Sequence, residues 1–134
     1  MADIFSKAQR SAIMSNIKST NTQAELLAFR YLRRKGIYFQ KHYGKVIGRP
    51  DIALPRKKKA VFIDGDFWHG RDVNRLSGKK YWENKILANI QRDKKVNQQL
   101  SGLGWTYLRV WESDIKRKAT RDRSMQLIEE FLAE

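Results

Sequence analysis

The sequence predicts a single α/β domain with a mixed central sheet flanked by helices. Two observations carry that expectation. Hydrophobic periodicity changes along the chain in the order helix, helix, strand, strand, strand, helix, strand, helix, which one sheet with helices packed against it accommodates. The chain has 134 residues, 41% of them hydrophobic, with 2 prolines and 8 glycines: enough apolar material for one buried core and too little for a second.

Residues 6–17, SKAQRSAIMSNI, open at Ser6 as a cap and repeat Ala8, Ala12, Ile13 and Ile17 at helical spacing, with Met14 beside that face. After a polar turn, Thr22 and Glu25 form a capping-box pair. The helix they start covers about 23–35, turns Ala24, Leu27, Ala28, Tyr31 and Leu32 inward, and stops at Gly36. Residues 37–43 alternate loosely as an extended piece. In VIGRPDIAL (46–54), Gly48 and Pro50 predict a bend before a strand over 51–54. Residues 55–58 read as a hairpin turn with exposed cations, KAVFID (59–64) as a buried strand, and 70–80 as a basic polar loop. A long helix is expected from 81 to about 100, ended by Gly102 and Gly104. WTYLRVW (105–111) then alternates as a strand, and a last helix covers about 123–133.

Composition narrows the function. No cysteine is present, which excludes a disulfide framework, a thiolate zinc site and a cysteine nucleophile. The apolar runs are too short to span a bilayer, and MADIFSKAQR lacks the apolar core of a secretory signal, so a cytoplasmic protein without a membrane partner is expected. Lys and Arg total 28 against 14 acids, a net charge of +14 that points to a polyanionic partner, with nucleic acid foremost and a membrane surface disfavoured because no segment reads as a long basic amphipathic helix.

The chemistry gathers in two adjacent blocks. Asp51 stands where a bent strand starts, and Asp64 and Asp66 end the next strand. If these strands are hairpin partners, Asp51 and Asp64 meet at one sheet end, where carboxylates hold a hard cation such as Mg²⁺. Spacing alone leaves a second reading, in which Asp51 caps a turn and the other two acids solvate a hairpin end. The basic excess favours the metal. His69 follows directly in FWHG (67–70), as a candidate proton acceptor. Phe67 and Trp68 cannot share one side of a strand, so one of them is expected to be exposed, as aromatics that stack on bases are. Trp82, Lys85, Asn89 and Arg92 step along one face of the long helix and suit phosphate and base contact, with Trp82 in the core as the plainer reading.

Together these blocks resemble the very-short-patch repair (Vsr) endonucleases. The matching stretches are Met1-Ala2-Asp3, RSAIMSNIKSTNTQAE (10–25), GRPD (48–51), VFIDGDFWHG (61–70), YWENKI-x₂-NIQRD (81–93) and LGWTYLRVWE (103–112), in order over about residues 1–115. The resemblance implies a monomeric, single-domain nuclease over 1–134 with a restriction-endonuclease-like core, a DNA-contacting helix at 1–20 and a C-terminal helix at 120–134. It implies Mg²⁺-dependent nicking of one DNA strand beside T:G mismatches left by deamination of 5-methylcytosine, with one or two metal ions. Carried over by position onto a double-stranded DNA substrate, Asp51 bridges the metal, the backbone carbonyl of Ile63 is a further ligand, His69 serves as base or orients the attacking water, and Glu25 assists near the metal waters, while Asp64 makes the site a two-acid metal centre. Phe67, Trp68 and Trp82 form a wedge beside the mismatch, Met14 enters from the other groove, and Lys85 and Asn89 face the DNA.

The sequence departs from the family pattern in three places. Well-known members hold a structural zinc through cysteines and a histidine in and after the FWHG block. No zinc is expected here, and packing is expected to hold the 70–80 loop. Asp64 stands where those members often carry a second histidine, and Ile13 replaces a frequent asparagine. Two alternatives remain: a nicking nuclease of the same fold with another target, as in defence, and a non-catalytic basic DNA-binding module. Asp51, Asp64 and His69 argue against the second, because a pure binder gains nothing from acids facing phosphate.

Overall fold

A computed structural model describes residues 22–71 and 80–134. The helix expected at 6–17, Met14 with it, and residues 72–79 of the basic loop lie outside the described residues. Helix α1 covers Gln23–Arg34, with the Thr22 hydroxyl accepting the Glu25 amide at 3.2 Å as its cap. It buries Ala24, Glu25, Ala28, Phe29 and Leu32. Gly36, at φ 73°, turns the chain out of the helix as expected.

The sheet follows in the order β1 (Gln40–Lys41), β2 (Ile52–Leu54), β3 (Lys59–Asp64) and β4 (Thr106–Trp111). β1–β2 and β2–β3 are antiparallel and β3–β4 is parallel, from Lys59 opposite Thr106 to Asp64 opposite Trp111. The expected 37–43 strand shrinks to two residues. Ile37 and Phe39 pack onto the core beside α1, and His42 takes a left-handed φ of 49° that ends the regular strand, although the His42 and Tyr43 amides still donate to the carbonyls of Asp51 and Pro50.

Strand alternation divides the core between the two faces of the sheet. Val61, Ile63 and Val110 point to one face and pack with α1, α3 (Glu112–Lys116) and α4 (Lys118–Ala133). Ala60 and Phe62 point to the other, under α2 (Lys80–Gly102), and pack with Leu100. Truncating a fully buried side chain such as Leu32 or Ile86 costs about 2–5 kcal/mol.

The last helical region begins earlier than the sequence predicts and in two pieces. The Thr120 hydroxyl donates to the carbonyl of Asp114 and Arg121 Nε to that of Ile115, so the first turn of α4 satisfies the open end of α3. At the other end of α4, Lys57 and Lys59 donate to the carbonyls of Leu132 and Phe131, two cations on a helix C-terminus. None of the described helices is long and apolar enough to cross a membrane.

Candidate active site

The GRPD bend sets the site. Gly48 and Arg49 both take positive φ, 85° and 47°, and a Cβ on Gly48 would lie 2.6 Å from Val96 Cγ1 of α2. The reversed chain delivers Asp51 to the start of β2, where its Oδ2 accepts the Ile63 amide of β3 at 2.7 Å. Glu25, on the first turn of α1, is buried beside it and meets His42 Nε2 at 2.7 Å. Ligand atoms of Glu25, His42 and Asp51 all lie within 4.8 Å of one another. Burial pushes the Asp51 carboxyl up to about 8, with Glu25 and Asp64 adding to the rise and the Ile63 amide opposing it. A hydrogen-bonded carboxylate held so far above its ordinary range, among oxygen donors, fits a hard divalent cation.

A second cluster faces it. Both Asp64 oxygens accept from Arg109 Nη1, at 3.0 and 3.1 Å. Arg109 also donates from Nε to Asn97 Oδ1 at 2.8 Å, and its guanidinium lies 4.1 Å from the centre of the Phe62 ring. His69 bonds through Nδ1 to Asp93 at 2.5 Å and stands 3.8 Å from Asp64. Burial raises the Asp64 carboxyl, against the pull of His69 and Arg109. Asp51 and Asp64, expected together around one metal, are thus close neighbours in different clusters.

Asp66, the third acid of the motif, takes no part in either cluster. It accepts the Ser113 amide at 3.0 Å, the Ser113 hydroxyl at 2.6 Å and Arg71 at 3.2 Å. Burial opposes its ionisation, yet these bonds hold its carboxyl below the ordinary range. Arg71 also bonds Asp114 and Ser113, each at 3.0 Å, and lies over the Trp111 ring. At the described start of the basic loop, charge and hydrogen bonds act beside the close packing of Gly70 on Ile86 and Ile90.

The aromatic residues also differ from expectation. Phe67 and Trp68 stand on a turn after β3, not on a strand, so both rings join one cluster. Trp82 completes it at 5.4 Å from Phe67 and 5.9 Å from Trp68, and is itself only 2% exposed. Trp82 thus supports the two half-buried rings from behind and offers little surface to DNA. Lys85 lies over the Trp68 ring, and Asn89 donates to the Trp68 carbonyl at 3.1 Å. A Cβ on Gly70, at φ 76°, would lie 2.5 Å from Ile90 Cδ1, which fixes how closely this turn docks on α2.

Glu25, Asp51, Asp64, His69, Asp93 and Arg109 line one cleft of about 920 Å³, together with Phe67 and Trp68. Sequence reasoning missed His42, Asp93, Asn97 and Arg109. Asp93 and Asn97 continue the row Ile86, Ile90, Leu100 at helical spacing, so two polar residues on an apolar stripe were the available signal. Arg109, a charge inside a strand of β-favouring residues, was another. His42 left none.

A family model for "DNA mismatch endonuclease Vsr" matches residues 2–75. The "Type II nicking enzyme V.NmeAIP" of Neisseria meningitidis is 36% identical over 136 residues, covering 98% of this chain and 97% of that protein. The "Type II nicking enzyme V.HpaIIP" of Haemophilus parainfluenzae is 36% identical over 120 residues, 86% and 85% of the two chains. The "DNA mismatch endonuclease Vsr" of Escherichia coli is 30% identical over 138 residues, 98% and 88% of the two chains.

Proposed function

The chain belongs to the Vsr family of DNA mismatch endonucleases, and on that premise we propose that it nicks one strand of duplex DNA beside T:G mismatches, as a Mg²⁺-dependent monomer. The observation that carries the chemistry is the cleft itself: a half-buried carboxylate, Asp51, lines it together with an imidazole oriented by a second carboxylate.

Asp51 and the carbonyl of Ile63 would hold Mg²⁺, with Glu25 beside them. When bound, the ion offsets charge on the phosphate and lowers the pKa of a coordinated water. We assign Asp64 to the His69 cluster and not to the metal, because both its oxygens accept from Arg109. Asp93 holds His69 at Nδ1, which fixes the ring and leaves Nε2 as the atom that takes a proton from water. Phe67 and Trp68 present the wedge, with Trp82 behind it and Lys85 and Asn89 holding Trp68 from α2. Unstacking costs less at a wobble pair than at a Watson–Crick pair, so a wedge favours mismatches before any base edge is read.

The relatives named as nicking enzymes support strand scission. The test is a nicking assay on T:G, paired and methylated duplexes with Mg²⁺. T:G should be nicked faster than its paired parent, and Trp68→Ala should lose most of that preference while melting like wild type. Nicking without preference would leave the chemistry and move the target elsewhere. Metal analysis should find no stoichiometric zinc.

A further inference from the structure

Asp93 and Asp64 are both within reach of one nitrogen, and the outcome of that competition decides whether His69 is usable. His69 Nδ1 lies 2.5 Å from Asp93 and 3.8 Å from Asp64. Asp64 is 7% exposed, so it has little water to satisfy it. A buried carboxylate takes whatever donor is nearest, and apart from Arg109 that donor is the imidazole. Arg109 prevents this. Its Nη1 bonds both Asp64 oxygens and stands 3.8 Å from Asp93, between the two acids. Its own position is fixed twice, by Nε on Asn97 and by the Phe62 ring against the guanidinium.

We propose that Arg109 is a positioning residue of the nicking reaction: by holding Asp64 off His69, it keeps the imidazole bonded to Asp93 and its Nε2 turned to the reacting water. The inference rests on His69 as proton acceptor, the reading given above. It assigns Arg109 no contact with DNA, and it makes Asn97 the anchor of Arg109.

The experiment compares Arg109→Gln, Asp64→Asn and the double variant by steady-state nicking of a T:G duplex, with thermal melts alongside. Arg109→Gln should lower kcat about 10- to 100-fold, the loss seen when a group that orients another is removed. KM for DNA should stay within about threefold, since the charge acts on His69 and not on phosphate. Adding Asp64→Asn should recover about tenfold or more of the lost kcat, because a neutral amide no longer competes for the imidazole. A rise in KM with kcat preserved would place Arg109 on the DNA and overturn the inference. So would a double variant that regains its melting temperature without regaining kcat, which is the mark of a purely structural ion pair. Should Arg109→Gln not fold, Arg109→Lys makes the same comparison, since lysine keeps the charge but cannot bond Asn97 and Asp64 together. Its kcat should fall several-fold and be recovered by Asp64→Asn, and a fall that Asp64→Asn leaves in place overturns the inference. Asp51→Asn separates the two failures. If it nicks like wild type, the active-site reading itself is wrong. If it is dead while Arg109→Gln is fully active, only the role of Arg109 falls.

Discussion

Two histidine–carboxylate clusters share the cleft and are built from nearly the same parts. Glu25, His42 and Asp51 make one, Asp64, His69 and Asp93 the other. In the second, Arg109 compensates the acids, and Asp64 and Asp93 both have bonded cationic or imidazole partners. In the first, Asp51 forms no ion pair with a lysine or arginine among the described residues, and its carboxyl stands near 8. The contrast separates two tasks. A cluster that carries its own cation is a finished piece of positioning machinery. A cluster that lacks one at Asp51 has room for a metal ion, and Arg109, the cation of the other cluster, is committed to Asp64 and Asn97.

The variant expected to act most strongly tests the incomplete cluster. Asp51→Asn should reduce nicking by about a thousandfold or more, while DNA binding holds or tightens because a negative charge near phosphate is gone. Turnover comparable to wild type would mean that the first cluster does not hold the metal. Next comes the completed cluster. Asp93→Asn should keep the fold and lower kcat by roughly 10²-fold, because an amide lacks the charge and the acceptor-only character that hold the proton on His69 Nδ1. If Asp93→Asn were as damaging as Asp51→Asn, the two clusters would be doing one job. His42→Gln should act less, by several-fold, and mainly through the Mg²⁺ concentration needed for half-maximal nicking, since an amide can still donate to Glu25. A loss in kcat at saturating Mg²⁺ would move His42 into the chemistry.

The smallest effect is on stability, and it has a definite sign. With Asp51 raised from 3.8 to about 8 by burial, the native metal-free protein holds a proton that the unfolded chain releases across that window. Stability of the metal-free protein should therefore fall as pH rises from about 4 to about 8. Thermal melts at pH 5 and pH 8 in chelator should show the fall, and Asp51→Asn should flatten it. An unchanged slope in the variant would show that Asp64, raised in the same direction, or another group is responsible.

How much of this was readable in the chain follows from what each feature depends on. KAVFID appears as a strand at the residues expected, and the Thr22 cap and Gly36 stop bound α1, because period and capping are local properties. Asp51, Asp64 and His69 were legible for the same reason: they sit in short blocks with the polar residues adjacent. Their distribution between two clusters was not, because it is set by Arg109, which lies 45 residues from Asp64 and reaches it only through the parallel pairing of β3 and β4. Asp66 adjoins these acids in sequence, and its partners Ser113 and Arg71, which tie it to the β4–α3 junction, lie far along the chain or outside the motif and were not legible there.

Arg71 has a consequence for how the enzyme comes into being. The grip it makes on Asp66, Ser113, Asp114 and Trp111 joins the end of the FWHG turn to the β4–α3 junction using side chains alone. Such a joint can form as soon as both segments have been synthesised, because every group in it belongs to the chain. It also answers to the surrounding medium. Dissolved salt screens it, and acid strong enough to protonate Asp66, whose carboxyl its bonds hold below the ordinary range, loosens it. The firmness of the turn that carries Phe67 and Trp68 thus becomes tied to the ionic strength and acidity of the surrounding medium.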